Sequence, residues 1–98
     1  MTTQKYEICA RFEVVEFANF MESTLKQHDH KGHWKNCNPE YLSRKLTEEF
    51  SELQSELIHT MKDNDFDSIK AARIRDECID LANVCMMIAD NSFRRWLP

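Results

Sequence analysis

The 98 residues include one glycine, Gly32, and two prolines, of which Pro98 is the last residue. Tight β-turns rely on those residue types for the backbone angles they need. A chain almost without them has few ways to reverse direction, and long helices with few connections suit it best. Glu, Lys, Leu, Met and Ala, which favour helices, are abundant, and strand formers never alternate cleanly over a long run. The fold class expected is all-α: a short antiparallel bundle of three main helices plus a short C-terminal turn. The length allows one domain, 1–98. A chain this short buries only about 60–65% of its unfolded surface, so oligomerisation is expected to complete its core.

Apolar periodicity places the helices. The first is expected from about Tyr6 to Gln27, with Val14, Phe17, Ala18, Met21 and Leu25 as one stripe. Phe12, Val15 and Phe20 fall outside it, so this helix is apolar on more than one side and suits a subunit contact. His28 to Asn38 reads as a loop. Asn38-Pro39 is a start signal, with Asn38 as N-cap and Pro39 at the first helical position. A second helix then runs to about Met61 with Leu42, Leu46, Phe50, Leu53 and Leu57 on one face. After the polar break Lys62–Asp65, Asp67 or Ser68 caps a third helix reaching about Asp90, with Ile74, Cys78, Leu81, Val84, Cys85 and Ile88 on its face. Asn91-Ser92 is expected to interrupt it, leaving Phe93 to Leu97 as a last turn.

The net charge of −4 lacks the basic surplus of a nucleic-acid binder, so no stable nucleic-acid binding is expected. No apolar run approaches the roughly 20 residues that span a membrane, and Met1-Thr2-Thr3-Gln4 carries no signal-peptide pattern. A cytoplasmic protein is expected, with Cys9, Cys37, Cys78 and Cys85 reduced and the latter two buried as small hydrophobes.

Acidic residues occupy positions where leucines belong. At about 100° per residue from Leu42, Glu49 falls near −20°, inside the apolar stripe, and Glu52 near −80°, on its edge. Glu48 points away. On the third helix Glu77 lies between Val84 and Ile88, with Asp80 on the stripe edge and Asp76 outside it. Burying an ionised carboxylate without a partner costs several kcal/mol, and only Lys45 and Arg73 lie near enough in sequence to help. Packing the helices antiparallel would gather Glu49, Glu52, Glu77 and Asp80, a cluster that repels itself unless a cation neutralises it. All-oxygen ligands select Mg²⁺, with Mn²⁺ as a substitute. The alternatives are an interhelical salt-bridge network or a di-iron bundle. The di-iron bundle needs Glu-x-x-His twice, and the chain has it once, at Glu56 and His59.

Glu48-Glu49-Phe50-Ser51-Glu52-Leu53, followed by Glu77-Cys78-Ile79-Asp80-Leu81-Ala82-Asn83-Val84, resembles the E-x-x-E … E-x-x-D signature of the MazG-like all-α nucleoside triphosphate pyrophosphohydrolases. The resemblance runs from His33-Trp34-Lys35 through the third helix. It implies Mg²⁺-dependent hydrolysis of a (d)NTP to the monophosphate and pyrophosphate, for nucleotide-pool housecleaning or control, by homodimers or homotetramers. The acids at 49, 52, 77 and 80 are then the metal ligands. The short C-terminus, Phe93 to Pro98, departs from the family's fuller fourth helix.

Such chemistry asks for a carboxylate to take the proton of the attacking water, with Glu49 and Glu52 both candidates. Cationic donors for the triphosphate are expected from Lys31, Lys35 and Arg94 or Arg95. Asn83, one turn beyond Asp80, suits the sugar or a ligating carboxylate. In the family a tryptophan of this region lies near the base, which makes Trp34 a stacking platform with His33 beside it. A transition-metal site from the loop histidines and Cys37 is the other reading of that loop, though it lacks the paired spacing of zinc sites. Two further classes stay open: a non-catalytic helical nucleotide-binding module, and a helical protein-interaction module assembling through its first helix.

Overall fold

A computed structural model describes residues 9–29 and 33–98. The described chain is all-helical: α1 (Phe12–Gln27), a 3₁₀ turn (Trp34–Asn36), α2 (Pro39–Asp63) and α3 (Ser68–Arg94). No strand occurs among the described residues.

The two long helices start where their caps dictate. Asn38 Oδ1 accepts from Tyr41 N–H at 2.8 Å, and Asp67 Oδ1 accepts from Lys70 N–H at 2.8 Å, each satisfying a first-turn donor that has no helical partner. Between them Asn64 ends α2 in the left-handed region (φ 49°, ψ 39°), a conformation asparagine tolerates better than most residues. Lys70 Nζ then bridges Asp63 and Asp65 at 3.6 and 3.7 Å, tying the hairpin. At the opposite end Trp96 Nε1 donates to Cys37 O at 3.2 Å. With the end of α2 beside the start of α3, and the start of α2 beside the end of α3, the pair is antiparallel. α1 packs against the middle of α3, where Asn83 Nδ2 donates to Met21 O at 3.3 Å and the Arg75 guanidinium lies 4.7 Å from the centre of the Phe20 ring.

Four expectations are corrected. Residues 9–11 are not helical, so α1 begins at Phe12 rather than near Tyr6; Arg11 at its N-cap provides no side-chain cap bond. Val14 and Ala18 are exposed, because among the described helices α1 packs only on α3 and turns a narrower face to it. α3 runs through Asn91 and Ser92 to Arg94: Asn91 is fully buried, and its amide is engaged in tertiary bonds instead of competing with its own backbone. Cys85 is exposed rather than buried, since the buried side of α3 passes through Ile79, Asn83, Val84 and Asn91. All four cysteines are free thiols.

The core is thin. Leu42, Ile79 and Val84 are its fully buried hydrophobes among the described residues, while Phe50, Met61, Phe66, Ile69 and Phe93 all stay more than half exposed. The radius of gyration is 15.9 Å, against about 13 Å for a compact domain of this length. No helix among the described residues is long and apolar enough to cross a membrane.

Candidate metal centre and adjoining cavity

Helix geometry brings together the acids whose positions looked anomalous. Residues three apart share a helix face, and the antiparallel pairing sets Glu49 and Glu52 of α2 against Glu77 of α3. One carboxylate oxygen from each of the three lies within 4.8 Å of the other two. Glu49 is buried, Glu77 half-buried and Glu52 exposed. Charges at that spacing repel by about 3–4 kcal/mol per pair at the effective dielectric near a protein surface, less where Glu52 is solvated. That repulsion is a large fraction of a small domain's stability.

The environment registers the conflict. Burial, then the charges of Glu52 and Asp80, push Glu77 up to about 7. Burial first, then Glu52 and Asp80, also raise Glu49, against the opposing pull of Lys45. Asp80 is raised by burial, then by Asp76 and Glu52. Asp80 lies outside the three-oxygen group but borders the same site electrostatically. Two buried oxygens, Glu49 Oε2 and Glu77 Oε2, have no hydrogen-bond partner. Such orphans are rare in native structures and call for an explanation.

The salt-bridge alternative accounts for little of this. Lys45 Nζ reaches Glu49 Oε1 at 3.6 Å and Glu48 Oε2 at 3.7 Å, within one helix and from a half-exposed position. Burial works against that ammonium, yet Glu49 and then Glu48 hold Lys45 above its ordinary range. Among the described residues no lysine or arginine pairs with Glu52, Glu77 or Asp80, and Arg73 makes no ion pair. A metal fits the donor set: three converging hard oxygens, two of them with orphaned partners, suit Mg²⁺ or Mn²⁺. No second group of three such ligands occurs among the described residues, Glu56 and His59 included; His30 of the histidine loop lies outside them.

Beside the acids lies a cavity of about 460 Å³, within the range of small-ligand sites. Its lining includes the charged Glu49, Asp80 and Lys45, the buried Asn83 and Val84, and the aromatic rings of Trp34 and His33. The His33 and Trp34 rings stack at 4.2 Å. Lys35 Nζ sits 5.9 Å from the centre of the Trp34 ring. Asn83 is buried with Nδ2 held by Met21 O, and its Oδ1 has no partner.

The candidate residues therefore divide. Glu49, Glu52 and Glu77 form the cluster and Asp80 adjoins it; His33, Trp34 and Asn83 line the cavity. Lys35 is not among the cavity-lining residues, and its ammonium lies over the Trp34 ring. Arg95 is not among the acids: its guanidinium donates to Asp90 Oδ2 at 2.6 Å and Asn91 Oδ1 at 3.0 Å. Lys31 lies outside the described residues. Tyr41, His28 and Met87, unremarkable in the sequence, also line the cavity. Their contribution arises only when α1, α2 and α3 come together.

The chain matches no known family model, no curated protein and no solved structure.

Proposed function

We propose that this chain is a Mg²⁺-dependent nucleoside triphosphate pyrophosphohydrolase of the MazG-like kind, releasing a (d)NMP and pyrophosphate. One observation carries the reading: three carboxylates converge, two of them with an orphaned buried oxygen, beside a cavity of about 460 Å³ that Glu49 and the aromatic pair His33 and Trp34 line. Glu49, Glu52, Glu77 and Asp80 would hold the ion. When bound, it supplies charge neutralisation on phosphate oxygens and polarisation of water.

The chain's own groups divide the remaining work. Glu49 or Glu52 accepts the proton of the attacking water. Lys45 lines the cavity beside Glu49, where its ammonium can turn to a phosphate oxygen. Trp34 offers a ring face to the base, and Asn83 offers an acceptor between acids and base. Assembly as a homodimer or homotetramer is part of the proposal. Its support is the exposed apolar surface on all three helices, including Phe12 at 72% and Phe50 at 52% exposure.

The test is to incubate purified protein with each dNTP and Mg²⁺ and quantify pyrophosphate and monophosphate. Cleavage of at least one dNTP is expected, with Glu49→Gln lowering the rate roughly a hundred- to ten-thousand-fold. Tight nucleotide and Mg²⁺ binding without turnover would move the chain to the non-catalytic module. Absence of both would refute the nucleotide reading.

A further inference from the structure

Asp90 stands near the end of α3, where an acidic residue is ordinarily a solvated charge, yet its half-buried carboxylate accepts three donors. Oδ2 takes Trp34 Nε1 at 2.9 Å and Arg95 Nη1 at 2.6 Å, and Oδ1 takes Arg94 Nη1 at 2.9 Å. The next residue, Asn91, is 0% exposed. It donates Nδ2 to Trp34 O at 2.9 Å and accepts from Arg95 Nη1 at 3.0 Å. Trp34 is thus gripped twice, by its backbone carbonyl and by its indole nitrogen. The bond from the indole to the carboxylate is charge-assisted, the stronger class, and has a defined direction.

A double grip does more than cover a core. A tryptophan serving only as a lid is held by apolar contact and needs its N–H satisfied once, by any acceptor or by water. Here the acceptor is a carboxylate itself fixed by an arginine, and the residue beside it fixes the backbone. With carbonyl and Nε1 both anchored, neither side-chain torsion of Trp34 is free, so the indole plane is set. His33 covers one face at 4.2 Å, and the indole borders the cavity.

We propose that Asp90, braced by Arg95, is a positioning residue that sets the plane of Trp34 for a planar heterocycle entering the cavity, touching neither the ligand nor the acid cluster. The inference rests on the cavity taking a nucleobase, as in the function proposed above, but not on turnover. Asp90 lies 13 positions beyond Glu77 on the same helix, about 20 Å along its axis, so the two functions separate in experiment. Arg95 acts through Asp90 rather than on phosphate. The donors from Trp34 and then Arg95 hold the Asp90 carboxyl down at about 2, so this brace stays ionised at any working pH.

The test compares Asp90→Ala, Asp90→Asn and Arg95→Gln with wild type. Readouts are calorimetric binding of the nucleoside monophosphates without metal, Mg²⁺ binding alone, and kcat and KM for any dNTP cleaved. Asp90→Ala is expected to weaken monophosphate binding and raise KM by roughly five- to ten-fold, a partial loss of base stacking. Its kcat and Mg²⁺ affinity should stay within about two-fold, since the acids are about 20 Å away. Asp90→Asn, which keeps an acceptor for the indole and guards against a folding defect, should lie between. In ¹H–¹⁵N spectra the chain has two indole resonances, from Trp34 and Trp96, and only that of Trp34 should shift strongly in Asp90→Asn. Adding Asp90→Ala to Trp34→Ala should weaken binding no further. Unchanged monophosphate affinity in Asp90→Ala, or additive losses in the double variant, would overturn the proposal, as would a wild type that binds no nucleoside monophosphate. Binding that depends on Asp90 without any dNTP cleavage would sink the enzymatic reading and leave this one standing.

Discussion

Burial, then the charges of Glu52 and Asp80, push the Glu77 carboxyl up to about 7, from 4.5 for the isolated side chain. A carboxyl whose pKa is raised on folding contributes stability that is complete below the unfolded value and is lost as pH rises through the folded one. We predict that the metal-free protein loses thermal stability between about pH 5 and pH 8. Glu77→Gln should flatten that decline and raise the melting temperature at pH 8. Mg²⁺ affinity should move the opposite way, rising across the same interval, because the ligand must give up its proton. Melting curves at four pH values, with and without Mg²⁺, check both; a flat metal-free profile would contradict the electrostatic picture. Glu49 was legible at this scale because it occupies a leucine position, and the wheel exposes that without any structure. Asn91 was not. Asparagine is a weak helix former, and its pattern gives no hint that Trp34, 57 positions away, supplies the carbonyl that satisfies it.

At the scale of elements, caps decide where the long helices begin and end. Removing the Asp67 side chain leaves the Lys70 N–H without its acceptor, so Asp67→Ala should cost about 1 kcal/mol. Asn64, at φ 49°, distinguishes residue types: Asn64→Ala should destabilise by about 1 kcal/mol, whereas Asn64→Gly should be neutral or stabilising. Chemical denaturation of the three variants checks this, and equal effects of Ala and Gly would show the turn to be slack. The starts of α2 and α3 were readable because capping is local chemistry, Asn38-Pro39 above all. The start of α1 was not: its apolar pattern continues upstream of Phe12, and whether a pattern becomes helix there depends on a surface to pack against. The link from Trp34 to Asp90 spans 56 residues and belongs to tertiary structure alone.

At the scale of the molecule, the three hydrophobes buried among the described residues, Leu42, Ile79 and Val84, are a thin core to stabilise them unaided. Phe50, expected on the leucine face of α2, is instead exposed, as is Met61, and together they offer an apolar surface that a second copy would cover. We predict a solution mass of two or four times 11.7 kDa, and dissociation with loss of thermal stability in a Phe50→Lys, Met61→Lys double variant. Light scattering after size exclusion measures both, and a stable wild-type monomer would remove assembly from the proposal. Everything proposed for catalysis depends on the acids sharing a cation. Calorimetric titration of Mg²⁺ into the wild type and Glu49→Gln at pH 8 tests this most directly. We predict saturable binding in the wild type, accompanied by a rise in melting temperature, and loss of both in Glu49→Gln. A wild type that neither binds Mg²⁺ or Mn²⁺ nor gains stability from them, or a variant that binds as well as wild type, would contradict it.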